Sequence, residues 1–504
     1  MGVQISCDRF DECDYARFRE RLEQCLAELG RLLQRPGFGA GPVTIGAELE
    51  LVLVDGANLP LPRNQAIRAA VADPRIAVEL SRFNLELNAS PVLLAGPDSR
   101  PFAALGDELD LLLGQVGDAA RAYHGRIALI GILPTLSEAH LRRGAMTDSP
   151  RYRALDRGLL RLHRRPFRIR IAGDEPLDIS IGHIASEGAN TSFQVHLRVA
   201  PENFTRTYNA AQAASAPVLA VAGNSPTFLG HRLWEETRIA LFKQSVEDRR
   251  AGPRRGPSRT ALGTGWLRGG PLELFSESVR LHEPLLPAMA DPEPEPPGGQ
   301  QAPPLDELRL HQGTVWPWNR AIYDPADGGH LRIEMRFLPA GPTVTDMMAN
   351  AAFMIGLTLW LAGQDQRWTY ALPFERADHG FYRAAQYGLA AELSWPLGPP
   401  RAHGGRRSVQ VRTLAAADLV AELIPAARLG LLQADVTTAE ADRLLGVIAA
   451  RLATGQTGAA WQRAALAAAA GGRSREQALA VMLDQYLTCA ATGQPVHTWP
   501  LGRR

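Results

Sequence analysis

The chain has 504 residues, 45% of them hydrophobic and 21% charged, and a formal net charge of +1. That composition is ordinary for a folded globular protein, and the near-zero charge gives no electrostatic reason to expect nucleic acid or an anionic membrane as partner. Four cysteines without CxxC spacing argue against a zinc ribbon or disulfide scaffold and fit unpaired thiols in a reducing cytoplasm.

Asp8, Asp11, Glu12 and Asp14 precede any apolar run, so no secretory leader is expected. Residues 14–35 space Tyr15, Phe18, Leu22, Cys25, Leu26, Leu29, Leu32 and Leu33 along one helical face. Pro36-Gly-Phe-Gly-Ala-Gly-Pro42 ends that helix. Residues 43–54 and 83–91 then read as strands, 102–124 as a helix, and 127–133 as a buried strand. A loop from Pro134-Thr135 leads towards Arg151-Tyr152, with a helix predicted over 155–165. Residues 191–199 form a third alternating strand. Helices follow at 203–222, closed by Asn224-Ser225-Pro226, and at 234–246. The Gly-, Pro- and Arg-rich stretch 249–266 and the low-complexity stretch 291–304 read as linkers, the first alternatively as an arginine-bearing loop of a site.

Residues 330–337 are a fourth alternating strand. The apolar run 349–362 is shorter than the roughly 18 residues a membrane span requires and reads as a buried helix. From about residue 373 the chain is mostly alanine- and leucine-rich helix, read as a buttress. Within it, Gly455-Gln-Thr-Gly-Ala-Ala-Trp461-Gln462 is distinctive but receives no role. The resulting division is an N-terminal helix (1–40), a catalytic region (41–372) and a helical C-terminal region packed on the core (373–504).

The four alternating strands carry the chemistry. Residues two apart in a strand share a face, so Glu48 pairs with Glu50, Glu86 with Asn88, Gln194 with His196 and Glu334 with Arg336. Joined in one sheet, these residues make a face too acidic to pack as a core and self-repelling without cations. Hard divalent ions such as magnesium take oxygen ligands of this kind, usually together with nucleotide phosphates. Glu48, Glu50, Glu86 and Glu334 are therefore the expected metal ligands, with Glu79 a further candidate. Gln194 and His196 are placed to contact metal or phosphate. Arg336, and Arg320 in Val315-Trp-Pro-Trp-Asn-Arg320, are candidate phosphate clamps. Trp316 and Trp318 are candidate pocket walls. Lys243 is the single lysine and there is no Gly-x-x-x-x-Gly-Lys-Ser/Thr, which excludes a P-loop nucleotide site.

At these residues the chain resembles the glutamate–cysteine ligase family, second group, which includes plant-type enzymes and carboxylate–amine ligases. Gly46-Ala-Glu48-Leu-Glu50 resembles its Gly-x-Glu-x-Glu strand, and Asn84-Leu-Glu86-Leu-Asn-Ala-Ser-Pro91 its Phe-Glu-Leu-Ser-Gly-Ala-Pro segment. Arg151-Tyr152 matches its Arg-Tyr pair, and Thr191-Ser-Phe-Gln194-Val-His196 its Thr-x-x-Gln-Val-Asn strand. Asn224-Ser225-Pro226 followed by Arg238 is similar to its Ala-Asn-Ser-Pro…Arg stretch, and Leu331-Arg-Ile-Glu334-Met-Arg336 to its Leu-Glu-Met-Arg strand. The motifs fall in order between about residues 43 and 365. Ser81-Arg82-Phe83-Asn84 and the Phe-Leu-Pro-Ala-Gly-Pro run after Arg336 depart from the pattern and mark a divergent member.

The resemblance implies an α+β fold with a glutamine-synthetase-like curved antiparallel sheet, or funnel, and outer helices, plus the helical C-terminal region. It implies an ATP- and Mg2+-dependent ligase acting on small molecules in the cytoplasm. The γ-phosphate would pass to the side-chain carboxylate of glutamate, and an amine, cysteine by default, would displace it. Arg336 and Arg320 would then assist the acyl-phosphate step, while Arg238, Arg151 and Asn224 would bind the amino-acid substrate. Two further readings are a guanidino-kinase-like phosphotransferase, which stops at the phosphorylated substrate, and a non-catalytic binding protein.

Overall fold

A computed structural model describes residues 5–96, 99–249, 256–290, 302–396, 401–403, 406–408 and 411–501. The middles of the two Gly/Pro-rich segments, residues 250–255 and 291–301, lie outside the described residues.

The first helix, Glu12–Leu33, begins at an Asp11 cap. The Asp11 carboxylate accepts from the Cys13 and Asp14 amides while Asp14 reaches back to the Asp11 amide. Its predicted apolar face is buried.

Seven strands form one antiparallel sheet: β1 (Thr44–Val54), β2 (Ile76–Val78), β3 (Asn84–Leu93), β4 (Arg126–Ala128), β5 (Phe193–Arg198), β6 (Asn319–Asp324) and β7 (His330–Met335). The order is β6-β7-β5-β1-β3-β2, with β4 pairing the end of β1 beyond β5. The four alternating segments are thus the four central neighbours. The alternation decides what each face meets. Leu49, Leu51 and Leu53 of β1, Leu85 and Leu87 of β3, Phe193, Val195 and Leu197 of β5 and Leu331, Ile333 and Met335 of β7 are all fully buried. They share a core with the helices Pro101–Arg121, Pro201–Ala222 and Val344–Ala362. Each such side chain contributes roughly 1.5–3 kcal/mol on burial, so register slippage, which would exchange the two faces, is strongly disfavoured.

The Val344–Ala362 helix is apolar all round and long enough to cross a membrane by composition alone, yet 78% of its apolar window is buried inside the protein. It crosses the helix Ala416–Gln433 at two glycines: a Cβ on Gly430 would lie 1.9 Å from the Gly356 carbonyl oxygen. On the carboxylate side, the end of β1 turns apolar. Val52 and Val54 join Ala128, Ile130, Trp461, Met482 and Tyr486 in a second core. The helices Gly458–Ala469 and Arg475–Ala490 close that end of the sheet.

The structure corrects the predicted elements in three places. Only 126–128 of the expected strand 127–133 is paired. Beyond it Ile130 and Ile132 stay buried, but the backbone turns to meet the chain at 190–191 and Asn224. The helix expected at 155–165 starts at Pro150, whose fixed φ suits a first helical turn, so Arg151 and Tyr152 are helical. The C-terminal region, expected to be mostly helix, also holds two short strand pairs: Glu392–Trp395 with Arg412–Ala415, and Arg401–His403 with Arg406–Ser408.

Candidate active site

Register assembles the site. Glu48 stands opposite Asn88 on β3 and Gln194 on β5, and Glu50 opposite Glu86. On the other side His196 stands opposite Glu334, and Glu334 opposite Arg320. One cavity covers this face, with about 1690 Å3 of space including its open mouth. It is walled by Phe242, Trp316 and Trp318, and by Arg151 and Tyr152 from the helix Pro150–His163. Tyr152 is fixed by its hydroxyl, which donates to the Val78 carbonyl at 3.0 Å.

The four predicted metal ligands fall into two groups with different electrostatics. Glu334 is held by a fork from Arg320, 2.7 Å to one oxygen and 3.0 Å to the other, and by Arg336 at 2.9 Å. Burial would raise its pKa, but Arg320, Arg336 and His196 outweigh burial and hold it well below the carboxylate range. Glu48 lies 3.3 Å from His196 Nε2, and Glu334 lies 3.9 Å from it. Burial again opposes ionisation of Glu48, and His196 overcomes it, holding the carboxyl at about 2. Arg332 Nε donates to His196 Nδ1 at 3.1 Å, which leaves the ring proton on Nε2, facing Glu48. Arg320 and Arg336 therefore already balance Glu334, and Arg332 and His196 lie on the Glu48 side of the same half.

The other half is not balanced. Glu50 and Glu86 converge with Glu79 and Glu187. Burial, followed by Glu48 and Glu50, pushes Glu86 up to about 7. Burial and Glu50 push Glu187 up to about 8. Burial, Glu86, Glu50 and Glu187 raise Glu79 well above its ordinary value. Glu50 is raised by burial even though Arg336 is near and the Ser192 amide donates to it at 2.8 Å. Two amide oxygens on the same cavity wall, Asn84 Oδ1 and Asn190 Oδ1, are buried without a hydrogen-bond partner. Clustered carboxylates beside unpaired carbonyl oxygens fit the oxygen-donor preference of magnesium. Glu50, Glu79, Glu86 and Glu187, all on the cavity wall, are one set of carboxylates that could hold it. Glu48, His196 and Glu334 each offer a ligand atom within 4.8 Å of the others, so the two predicted ligands on this side are also placed to hold an ion, with Arg320 and Arg336 sharing the Glu334 charge. His196 could ligate through Nε2 only if Arg332 released Nδ1.

Gln194 bridges the halves: its amide donates to Glu50 Oε1 at 3.1 Å while its carbonyl accepts from Arg336. Arg320 also donates to the Gln312 carbonyl at 3.0 Å, so this predicted clamp is rigidly seated. Arg238 reaches the cavity wall, with Nε donating to Glu236 at 3.1 Å and its guanidinium 5.7 Å from the Trp318 ring centroid. Arg151, from the helix Pro150–His163, also lines the cavity. Asn224 is not brought to the cavity. It is fully buried behind it, donating to the Ala340 carbonyl and the Tyr486 hydroxyl, so direct substrate contact does not follow from its position.

Sequence reasoning missed Glu187, which sits in the short six-residue helix Ile184–Ala189, where no alternation marks it. It also passed over Arg332, although Arg332, Glu334 and Arg336 alternate on one strand face and the signal was there.

An antiparallel sheet with one face built of carboxylates and guanidinium groups under a cavity, and helices behind the other, makes this an α+β protein with its polar sheet face turned to the site. Residues 44–260 match the family model described as glutamate-cysteine ligase family 2. No curated protein matches the chain. Among solved structures it is similar to glutamate–cysteine ligase from Francisella tularensis in complex with AMP, at 12% identity, covering 92% of this chain and 91% of that one with a TM-score of 0.53. It is also similar to a bifunctional glutathione synthetase from Pasteurella multocida, at 13% identity, 93% and 55% coverage and a TM-score of 0.45. At such identities the likeness is one of fold.

Proposed function

We propose that the chain is an ATP-dependent ligase that joins the side-chain carboxylate of glutamate to an amine, cysteine by default, through an acyl phosphate. The observation that carries this reading is the division of the cavity face into a half balanced by arginines and a half of carboxylates that needs cations. A phosphoryl-transfer site requires both: donors for the transferred group and ligands for the metal that accompanies nucleotide phosphates. Magnesium bound at Glu50, Glu79, Glu86 and Glu187 would neutralise phosphate charge.

In this reading Arg320 and Arg336, held in place by Glu334, donate to oxygens of the transferred phosphoryl group and of the acyl phosphate. Arg238 and Arg151, both on the cavity wall, bind substrate carboxylates. Trp316, Trp318 and Phe242 exclude water, which would otherwise hydrolyse the acyl phosphate before the amine arrives. The four unpaired cysteines are compatible with a cytoplasmic setting.

The test is ADP release from MgATP with glutamate and each of a panel of amines. Glutamate plus cysteine should release ADP well above glutamate alone. If another amine does so and cysteine does not, the acceptor assignment is wrong. If no amine does, the ligase reading is wrong.

A further inference from the structure

The segment around Gln462, which the sequence left without a role, ends in the interior of the molecule. Gln462 is buried, and its amide donates to both the Asn224 carbonyl, at 3.1 Å, and Asn224 Oδ1, at 2.8 Å. Tyr486, on the adjacent helix, accepts from Asn224 Nδ2 at 2.9 Å while its hydroxyl donates to the Leu129 carbonyl at 2.7 Å. Tyr486 is packed edge-on between Trp461 and Trp499, with ring centroids 5.9 and 5.1 Å away. Gly458 has no side chain because Asn224 occupies that space: a Cβ there would lie 2.2 Å from Asn224 Oδ1. Asn224 is thus gripped on its carbonyl, its amide and its flank.

The backbone amide of Asn224 continues the chain of contacts. It donates to Glu236 Oε2 at 2.8 Å, and the other oxygen, Glu236 Oε1, accepts from Arg238 Nε at 3.1 Å. Ser225 Oγ accepts from the Arg238 amide at 3.2 Å. Glu236 is fully buried, so its orientation is set by these donors and not by water. Arg238, buried and donating through its guanidinium to the Phe337 carbonyl as well, lines the cavity.

We propose that Gln462 and Tyr486 are positioning residues for the substrate-facing guanidinium of Arg238, acting through Asn224 and Glu236. The C-terminal helices are in this view part of the substrate site and not a buttress behind it. The inference rests on the reading of Arg238 as a carboxylate-binding residue, but the connection itself can be examined without it.

The experiment compares Gln462→Met, close in shape but without the amide, with Gln456→Met. Gln456 lies in the same region and donates to the Val496 and Trp499 carbonyls, with no contact to Asn224. Full-length variants are assayed for KM of glutamate and of ATP separately, and crystal structures of both are determined. Gln462→Met should raise the glutamate KM about tenfold with the ATP KM within twofold, and should displace the Arg238 guanidinium from Glu236. Gln456→Met should change melting temperature alone. An unmoved Arg238 in Gln462→Met overturns the connection whether or not the protein is a ligase. A moved Arg238 with unchanged glutamate KM overturns its role in substrate binding. Absence of turnover in the wild type would reject the ligase reading, and the crystallographic comparison would still decide the connection.

Discussion

Glu187→Gln should make the metal-free protein more stable at pH 7.5, an unusual outcome for a mutation in a binding site. Burial and Glu50 raise the Glu187 carboxyl from 4.5 to about 8. Between those values the folded protein keeps a proton that the unfolded chain releases, so this residue's contribution to stability falls as pH rises from about 4.5 to about 8. At ~1.4 kcal/mol per unit, the full displacement corresponds to about 4 kcal/mol at pH 7.5. Water reaches one side of the cavity, so we expect about half, ~2 kcal/mol. With an unfolding entropy of ~2 cal/mol/K per residue, that is an increase of ~2 °C in a chain of this length. The assay is thermal unfolding in EDTA at pH 7.5 and pH 5.0, repeated with magnesium. The gain should shrink to below ~1 kcal/mol at pH 5.0, where the wild-type carboxyl holds its proton in the folded state. Magnesium should stabilise the wild type more than the variant. A variant that melts below the wild type in EDTA at pH 7.5, or a gain equal at both pH values, would show that the carboxylates do not repel one another as described.

Glu86→Gln should abolish ADP release while unfolding at or above the wild-type denaturant midpoint, since Glu86 belongs to the unbalanced cluster; near-wild-type turnover would remove it from the metal site. Glu334→Gln should also abolish ADP release, but at a cost in stability of about 3–5 kcal/mol, because it weakens the pairing of two buried guanidinium groups. Urea titration distinguishes the two variants. Gly430→Ala should lower the urea midpoint substantially, because its new methyl would collide with the Gly356 carbonyl; an unchanged midpoint would mean the helix crossing is looser than 1.9 Å allows. Titration with a thiol reagent at pH 8 should modify the exposed Cys7 and Cys13 quickly and spare Cys25, which is buried and pushed up to about 11 by burial, until urea is added. Fast modification of a third thiol in the folded protein would contradict that burial, unless peptide mapping placed it at Cys489.

Alternation along single strands determined much of this protein. Glu48-Leu-Glu50, Glu86-Leu-Asn88, Gln194-Val-His196 and Glu334-Met-Arg336 each specify one polar and one apolar face, and only a sheet covered on one side accommodates all of them. The helix over residues 12–33 was equally legible, because its apolar period and its Asp11 cap are local. What sequence could not supply was which charges neutralise one another. Glu334 and Glu50 look alike in their strands. Yet Glu334 lies between two guanidinium groups, one from a neighbouring strand, while Glu50 faces Glu86 across a strand pair and Glu187 from a turn. Coulomb energy depends on the distances between charged groups brought in from different strands and turns, and tertiary structure alone fixes those distances. The same holds for Gln462. Its amide has no local partner to reveal it, and its role exists only because the C-terminal helices end against Asn224.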